Sequence, residues 1–261
     1  IWTEKPDVLL FMTDPRFFGW LWEIEDEIRP KVPMIYYHVW DNYPYPQFNE
    51  PLYSSNDIVA TISKVTDDIV RTVSDEVECI HIPHAVPDGT FKPFPEDMVV
   101  FSQNKIATKD MAAFYNMADC TLNISDAEGF GLATLESLSC ETPIIVTMTG
   151  GLQEQVTDGE NWFGIGLEPS SKSVIGSQEI PYIYEDRINE DEFVAALEKM
   201  YNMTPEERSE MGKKGRQHVL NNYSFDLYGE RWDNLFKHVK EDLGSWDTRK
   251  GYKTWHLNEV K

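Results

Sequence analysis

Hydrophobic positions fall into short runs separated by stretches of helical period. Residues 6–12 (PDVLLFM) predict a buried strand that Asp14-Pro15 ends. Residues 17–29 predict one amphipathic helix, closed by Pro30. Residues 32–40 (VPMIYYHVW), 57–62 and 78–83 predict three further strands. Between them, residues 42–51 hold three prolines and two tyrosines and predict a loop. Residues 63–74 predict a helix with Ser63 as N-cap. Strand–helix alternation of this kind implies an α/β fold, a parallel sheet with helices on both faces.

Residues 83–95 (PHAVPDGTFKPFP) carry four prolines and a glycine and predict a linker between domains. Beyond it come a strand at 98–101, a helix at 108–117 and a strand at 120–124. A glycine loop, a helix at 131–139 and a strand at 143–146 follow. Residues 170–186 predict a long loop or hairpin. Helices follow at 189–203, from Thr204 to about Asn221, and at 224–243, and the tail at 245–261 shows no clear period. Thr204-Pro205-Glu206-Glu207 supplies the N-cap, the proline of the first turn and a Glu three residues on. Phe225, Tyr228, Trp232 and Phe236 fall at helical spacing and predict a core-facing stripe. No internal repeat or low-complexity tract is present.

The 261 residues are 41% hydrophobic and 26% charged, which excludes a disordered, collagenous or coiled-coil chain. The net charge of −22 argues against nucleic acid and anionic membrane surfaces as partners. No window approaches the roughly 18 apolar residues of a membrane span. Cys79, Cys120 and Cys140 show no close pairing, so no disulfide framework or zinc cluster is indicated. A reduced, cytoplasmic compartment is expected. The two Asn-x-Ser sequons, at Asn123 and Asn222, have no leader to support their use. The start at Ile1 is read as a missing N-terminus.

The stretch SDAEGFGLATLE, residues 125–136, carries the chemistry. A buried strand runs into a loop with Gly129 and Gly131, then into a helix. Glycines let backbone approach a ligand, and the helix start offers N–H groups and the positive end of the dipole. A diphosphate suits that place. Glu128 in the loop and Glu136 in the helix flank it, with seven residues between. Helical side chains lean toward the N-terminus, so Glu136 reaches back toward the loop. A carboxylate accepts from two hydroxyls at once and suits a ribose diol, while Glu128 faces a second group beyond the phosphates. Spacing alone leaves open a glycine turn with two solvated glutamates.

The run EGFGLATLESLSCETPIIVTMTGGLQEQVTDG, residues 128–159, resembles the retaining, two-Rossmann-domain transferases of glycosyltransferase family 4. YNMADC at 115–120 resembles that family's step into the strand. IPHAV at 82–86 with Phe91 and Pro93 resembles its interdomain pattern. The resemblance implies a GT-B type α/β fold, two Rossmann-like domains facing across a cleft. Residues 1–92 would be the acceptor-side domain and 93–223 the nucleotide-sugar domain. Residues 224–261 would be a helix and tail docking back on the first. It gives Glu136 the ribose and Glu128, as the catalytic-site carboxylate, the donor sugar. Gly129, Phe130, Gly131 and Leu132 would line the diphosphate or sugar. The expected activity is transfer from a nucleotide-diphosphate sugar, a co-substrate rather than a cofactor, to a glycan, lipid or protein acceptor, with retention. No metal is expected, since no Asp-x-Asp occurs.

Departures from the pattern are Glu141 and Trp162 in place of glycines. If Glu141 ends its helix in a left-handed conformation, the cost is about 1 kcal/mol. Both domains look truncated: the segment before Ile1, and a stretch after Pro95 that carries the family's Arg and Lys on the diphosphate, are expected to be missing. A genuine loss would favour an inactive remnant serving as a structural or carbohydrate-binding module. A nucleotide-sugar epimerase or phosphorylase of the same fold is the other alternative.

His38, at the end of the second strand, is the further catalytic candidate, because the family often offers a His at this level; packing at a strand end is the competing reading. Asp14, Arg16 and Asp41 follow strand ends and are candidates to line the cleft; for Asp14 and Arg16 a turn with a surface ion pair is the competing reading. Asn104 and Lys105 are candidate base or phosphate contacts, with a solvated turn as the equal alternative. His81 and His84 lack a third ligand, which argues against a metal.

Overall fold

The computed structural model describes residues 1–12, 14–91, 106–176 and 182–252. It divides into two compact units: Ile1–Trp40, Tyr45–Ile82 and the chain from Gly229; and Asp41–Pro44 with Pro83–Tyr228.

The first unit is built on β1 (Leu9–Met12), β2 (Met34–His38), β3 (Ile58–Thr61) and β4 (Glu78–His81). They form one parallel sheet in the order β1-β2-β3-β4. Every residue of β2 and β3 is buried, which explains their unbroken apolar runs. β1 is one of the two edge strands among the described residues. Phe11 is buried there, stacked at 5.4 Å on Tyr36, while Leu10 and Met12 are exposed. The expected buried strand is therefore an alternating one.

The helix expected over 17–29 is broken. A 3-10 turn at Pro15–Phe17 precedes α1 (Gly19–Trp22) and α2 (Glu25–Ile28), with Ile24 at φ −119° between them. No side chain caps either helix, and aromatic and β-branched residues crowd the stretch. Its buried apolar members, Leu21, Trp22 and Ile28, pack in the core against the sheet. The expected loop at 42–51 ends instead in a 3-10 turn, Gln47–Asn49, and α3 (Glu50–Ser54), which takes Pro51 in its first turn. α4 (Lys64–Val73) is capped as expected, Ser63 Oγ accepting from Thr66 N–H at 3.2 Å.

In the second unit α5 (Thr108–Met117) leads to β5 (Thr121–Asn123), α6 (Leu132–Ser139), β6 (Ile144–Thr147), α7 (Leu152–Val156) and β7 (Gly164–Leu167). β5, β6 and β7 form a parallel sheet in that order, with β6 fully buried. The uncertain stretch at 170–186 is an antiparallel hairpin, β8 (Ser171–Ile175) with β9 (Ile183–Arg187). α8 (Glu190–Asn202) follows, and α9 (Pro205–Asn222) opens on the capping box of Thr204 and Glu207. Glu141 has φ +64°, the left-handed conformation that a glycine would hold without strain.

α10 (Phe225–His238) runs on into a π-helical turn, Val239–Leu243. Its inward stripe differs from the expected one. Leu235 and Val239 are buried and Trp232 half-buried, whereas Phe225 and Phe236 are exposed. Among the described residues no helix is long and apolar enough to cross a membrane.

Candidate functional site

The site lies where the second unit's parallel strands end, the position at which open α/β sheets bind ligands. β5 runs through residues 124–131 into α6, whose N-cap is Gly131 at φ +92°. A Cβ on Gly131 would lie 2.5 Å from Leu152 Cδ2 and 2.8 Å from Thr134 Oγ1. The turn after β6 lies flat on this loop. Gly151 N–H donates to the Glu128 carbonyl at 3.0 Å, and a Cβ on Gly150, at φ +46°, would stand 1.7 Å from that oxygen. Only glycine permits that approach.

The loop is anchored from beneath. Phe130 is buried, with its ring edge-on to His84 at 5.5 Å and Tyr223 at 5.9 Å. Its carbonyl accepts from Gln155 Nε2 at 2.5 Å. The Thr134 hydroxyl sits between the Gly131 carbonyl, at 2.7 Å, and Gln155 Oε1. What remains open is the start of the helix, where Leu132 and Ala133 are exposed. Among the described residues nothing accepts from the Gly131 and Leu132 N–H groups.

Both carboxylates are half-buried. Glu128 Oε1 accepts from Phe130 N–H at 3.3 Å, so one expected donor to a diphosphate is taken by the protein itself. Glu136 Oε2 accepts from Tyr115 Oη at 2.8 Å. Burial pushes the Glu136 pKa above the usual carboxylate value, and the tyrosine hydrogen bond opposes that rise. Asp41 joins them. Burial, and next the charge of Glu128, push its carboxyl up to about 6.

The other expected residues are placed differently. His38 is fully buried in the first unit, its Nε2 2.7 Å from Tyr53 Oη and its Nδ1 3.1 Å from Tyr36 Oη. Burial lowers its pKa to about 3. Its place among the catalytic candidates is corrected: both ring nitrogens are occupied within the core. Asp14 is half-buried near that histidine, where its charge acts on His38 and Tyr36. Arg16 is in the 3-10 turn after β1. Asn104, Lys105 and the strand expected at 98–101 lie outside the described residues. Two cavities of the second unit touch neither glutamate: one of about 510 Å³ beside Cys120 and Arg208, one of about 450 Å³ beside Asp158 and His218. Among the described residues no three His, Cys, Asp or Glu side chains are grouped to share a metal.

Tyr115, Thr134 and Gln155 were not singled out from sequence. Tyr115 alone left a signal there, as the first residue of YNMADC. Hydroxyl and amide partners of a loop backbone have no periodicity to betray them.

Residues 94–218 match the family described as Glycosyl transferases group 1. Over that stretch the chain is similar to a glycosyltransferase group 1 domain. Trehalose synthase of Rubrobacter xylanophilus is 27% identical over 171 residues, 60% of this chain and 35% of that protein. The chain thus spans well under two thirds of the curated relatives it matches. Sucrose-phosphate synthase of Thermosynechococcus elongatus shares the fold at a TM-score of 0.66 and 15% identity, covering 88% of this chain and 73% of that one. Anabaena HepE, solved in complex with UDP-glucose, shares it at a TM-score of 0.57 and 11% identity, over 79% and 72% of the two chains. The α/β GT-B fold implied by the resemblance is borne out. Glu128, the first glutamate of the EGFGLATLE stretch, is the one whose backbone Gly150 and Gly151 support.

Proposed function

We propose that the group 1 domain holds a nucleotide-diphosphate sugar at the start of α6. It would transfer the sugar to an acceptor hydroxyl, with retention and without a metal. The observation that carries this reading is the open helix start between two half-buried carboxylates, Glu128 and Glu136. Glu136, held by Tyr115, suits the two ribose hydroxyls. Glu128 suits the hydroxyls of the sugar. The Gly131 and Leu132 amides, at the positive end of the α6 dipole, face the charge that grows on the leaving diphosphate.

In the reaction the bond from the anomeric carbon to the diphosphate oxygen breaks. The acceptor oxygen bonds that carbon on the same face, and its proton passes to the departing phosphate oxygen. The protein then supplies position and electrostatic stabilisation rather than a nucleophile. HepE was solved with UDP-glucose, which makes that compound the first probe. Incubation with UDP-glucose and an acceptor panel, followed by proton NMR, should give an α-linked product at the same rate with and without EDTA. A β-linked product would overturn retention, and loss of turnover in EDTA would overturn metal independence.

A further inference from the structure

The hairpin β8–β9 has two unlike faces. The outer edge of β9, with the Arg187 side chain, holds the Glu128 loop. Asp186 N–H donates to the Asp126 carbonyl at 2.9 Å, and Arg187 Nη1 lies 2.9 Å from Asp126 Oδ2. The face opposite Arg187 is exposed. Val174 pairs with Tyr184 across the hairpin, and Tyr184 pairs with Tyr43 beyond it, Tyr184 N–H donating to the Tyr43 carbonyl at 2.6 Å. Directly paired residues project to one side, so these three side chains stand in a row. All three are exposed, at 58%, 38% and 42%. Two residues along, Lys172 and Asp186 pair at 3.7 Å on the same face, with Lys172 Nζ 4.5 Å from the centre of the Tyr43 ring.

This row continues the candidate donor site. Tyr43 stands two residues from Asp41, a reach of roughly 7 Å. Asp41 feels the charge of Glu128. Along the same edge of β9 the hairpin is tied to Asp126, two residues before Glu128. A patch of three side chains is far smaller than the ~800 Å² per partner of a stable protein interface. The paired Lys172 and Asp186 leave the border of this face without a net charge, which suits a neutral occupant. Two phenol rings beside an isopropyl group offer an apolar shelf for the C–H face of a pyranose. The ammonium and carboxylate at its border supply a donor and an acceptor for sugar hydroxyls.

We propose that the Tyr43–Tyr184–Val174 face is the acceptor subsite and that its occupant is a neutral saccharide; this rests on the donor reading above. The test is saturation-transfer NMR on the whole chain. The probes are maltose, cellobiose, lactose and diacetylchitobiose, with UDP titrated separately. At least one disaccharide should receive saturation at its ring C–H protons. Tyr43→Ala and Tyr184→Ala should weaken that binding at least fivefold, and Tyr184→Phe should keep it. UDP affinity should change less than twofold in all three, which also reports correct folding. The proposal is overturned if no disaccharide binds the native chain, or if the alanine variants bind as well as it does. Failure of UDP to bind, with disaccharide binding still lost in the variants, would refute the donor reading and support the shelf.

Discussion

Tyr115 Oη donates to Glu136 Oε2 at 2.8 Å, linking the end of α5 to the second turn of α6. The bond opposes the effect of burial on the carboxyl, so it keeps Glu136 ionised at a lower pH than burial alone would allow. Tyr115→Phe should lower stability by about 1 kcal/mol, measured by urea denaturation. It should also shift the acid limb of UDP binding to higher pH. An unmoved acid limb would separate Glu136 from the nucleotide.

Gly150→Ala should be among the most damaging small substitutions in the second unit. The new methyl would meet the Glu128 carbonyl in a conformation that already disfavours side chains. A loss of more than about 2 kcal/mol is expected, with UDP binding falling in the fraction that still folds. Circular dichroism melts and calorimetry on the same samples check this.

Asp41 should make its unit less stable as the pH rises. Its folded pKa of about 6 lies above the ordinary carboxylate value of 3.8. Its contribution is therefore fully present below about 3.8 and is lost as pH rises through about 6. Asp41→Asn should remove this loss, gaining at most about 3 kcal/mol at pH 7 relative to pH 4. Denaturant titrations at pH 4, 5, 6 and 7 read the difference directly.

His38 works in the opposite direction. Its pKa is lowered to about 3, below the ordinary 6.5, so its contribution is complete above about 6.5 and is lost as pH falls. The slope approaches ~1.4 kcal/mol per pH unit. His38→Gln should flatten the acid side of the stability curve. Part of the slope should persist, because burial also lowers His81, to about 4. UDP affinity should be unchanged, because Tyr36 and Tyr53 hold this ring in the core.

The parallel sheets, the capped helices and the glutamate pair were legible because each leaves a local pattern. β2 and β3 are unbroken apolar runs, Ser63 and Thr204 are side-chain caps, and Glu128 to Glu136 is a fixed spacing around glycines. The break at Ile24 was not legible, since the apolar period continues through it and only packing of Trp22 and Ile28 on the sheet separates the two turns. His38 misled for a related reason: a strand-end histidine looks the same whether it faces a ligand or two tyrosines. The partners of the glycine loop, Gln155 and Thr134, come from separate elements and meet only in the folded unit. The face shared by Tyr43 and Tyr184 depends on a pairing across 141 positions of sequence.

The central claim is that the start of α6 and its two glutamates hold a nucleotide-diphosphate sugar, and calorimetric titration of UDP against the native chain, Glu136→Gln and Glu128→Gln tests it most directly. The account predicts that UDP binds the native chain, that Glu136→Gln weakens it at least tenfold, and that Glu128→Gln leaves UDP affinity within about threefold while abolishing turnover of UDP-glucose. Equal UDP affinity in the native chain and Glu136→Gln, or no binding of UDP or any other nucleoside diphosphate to the native chain, would contradict it.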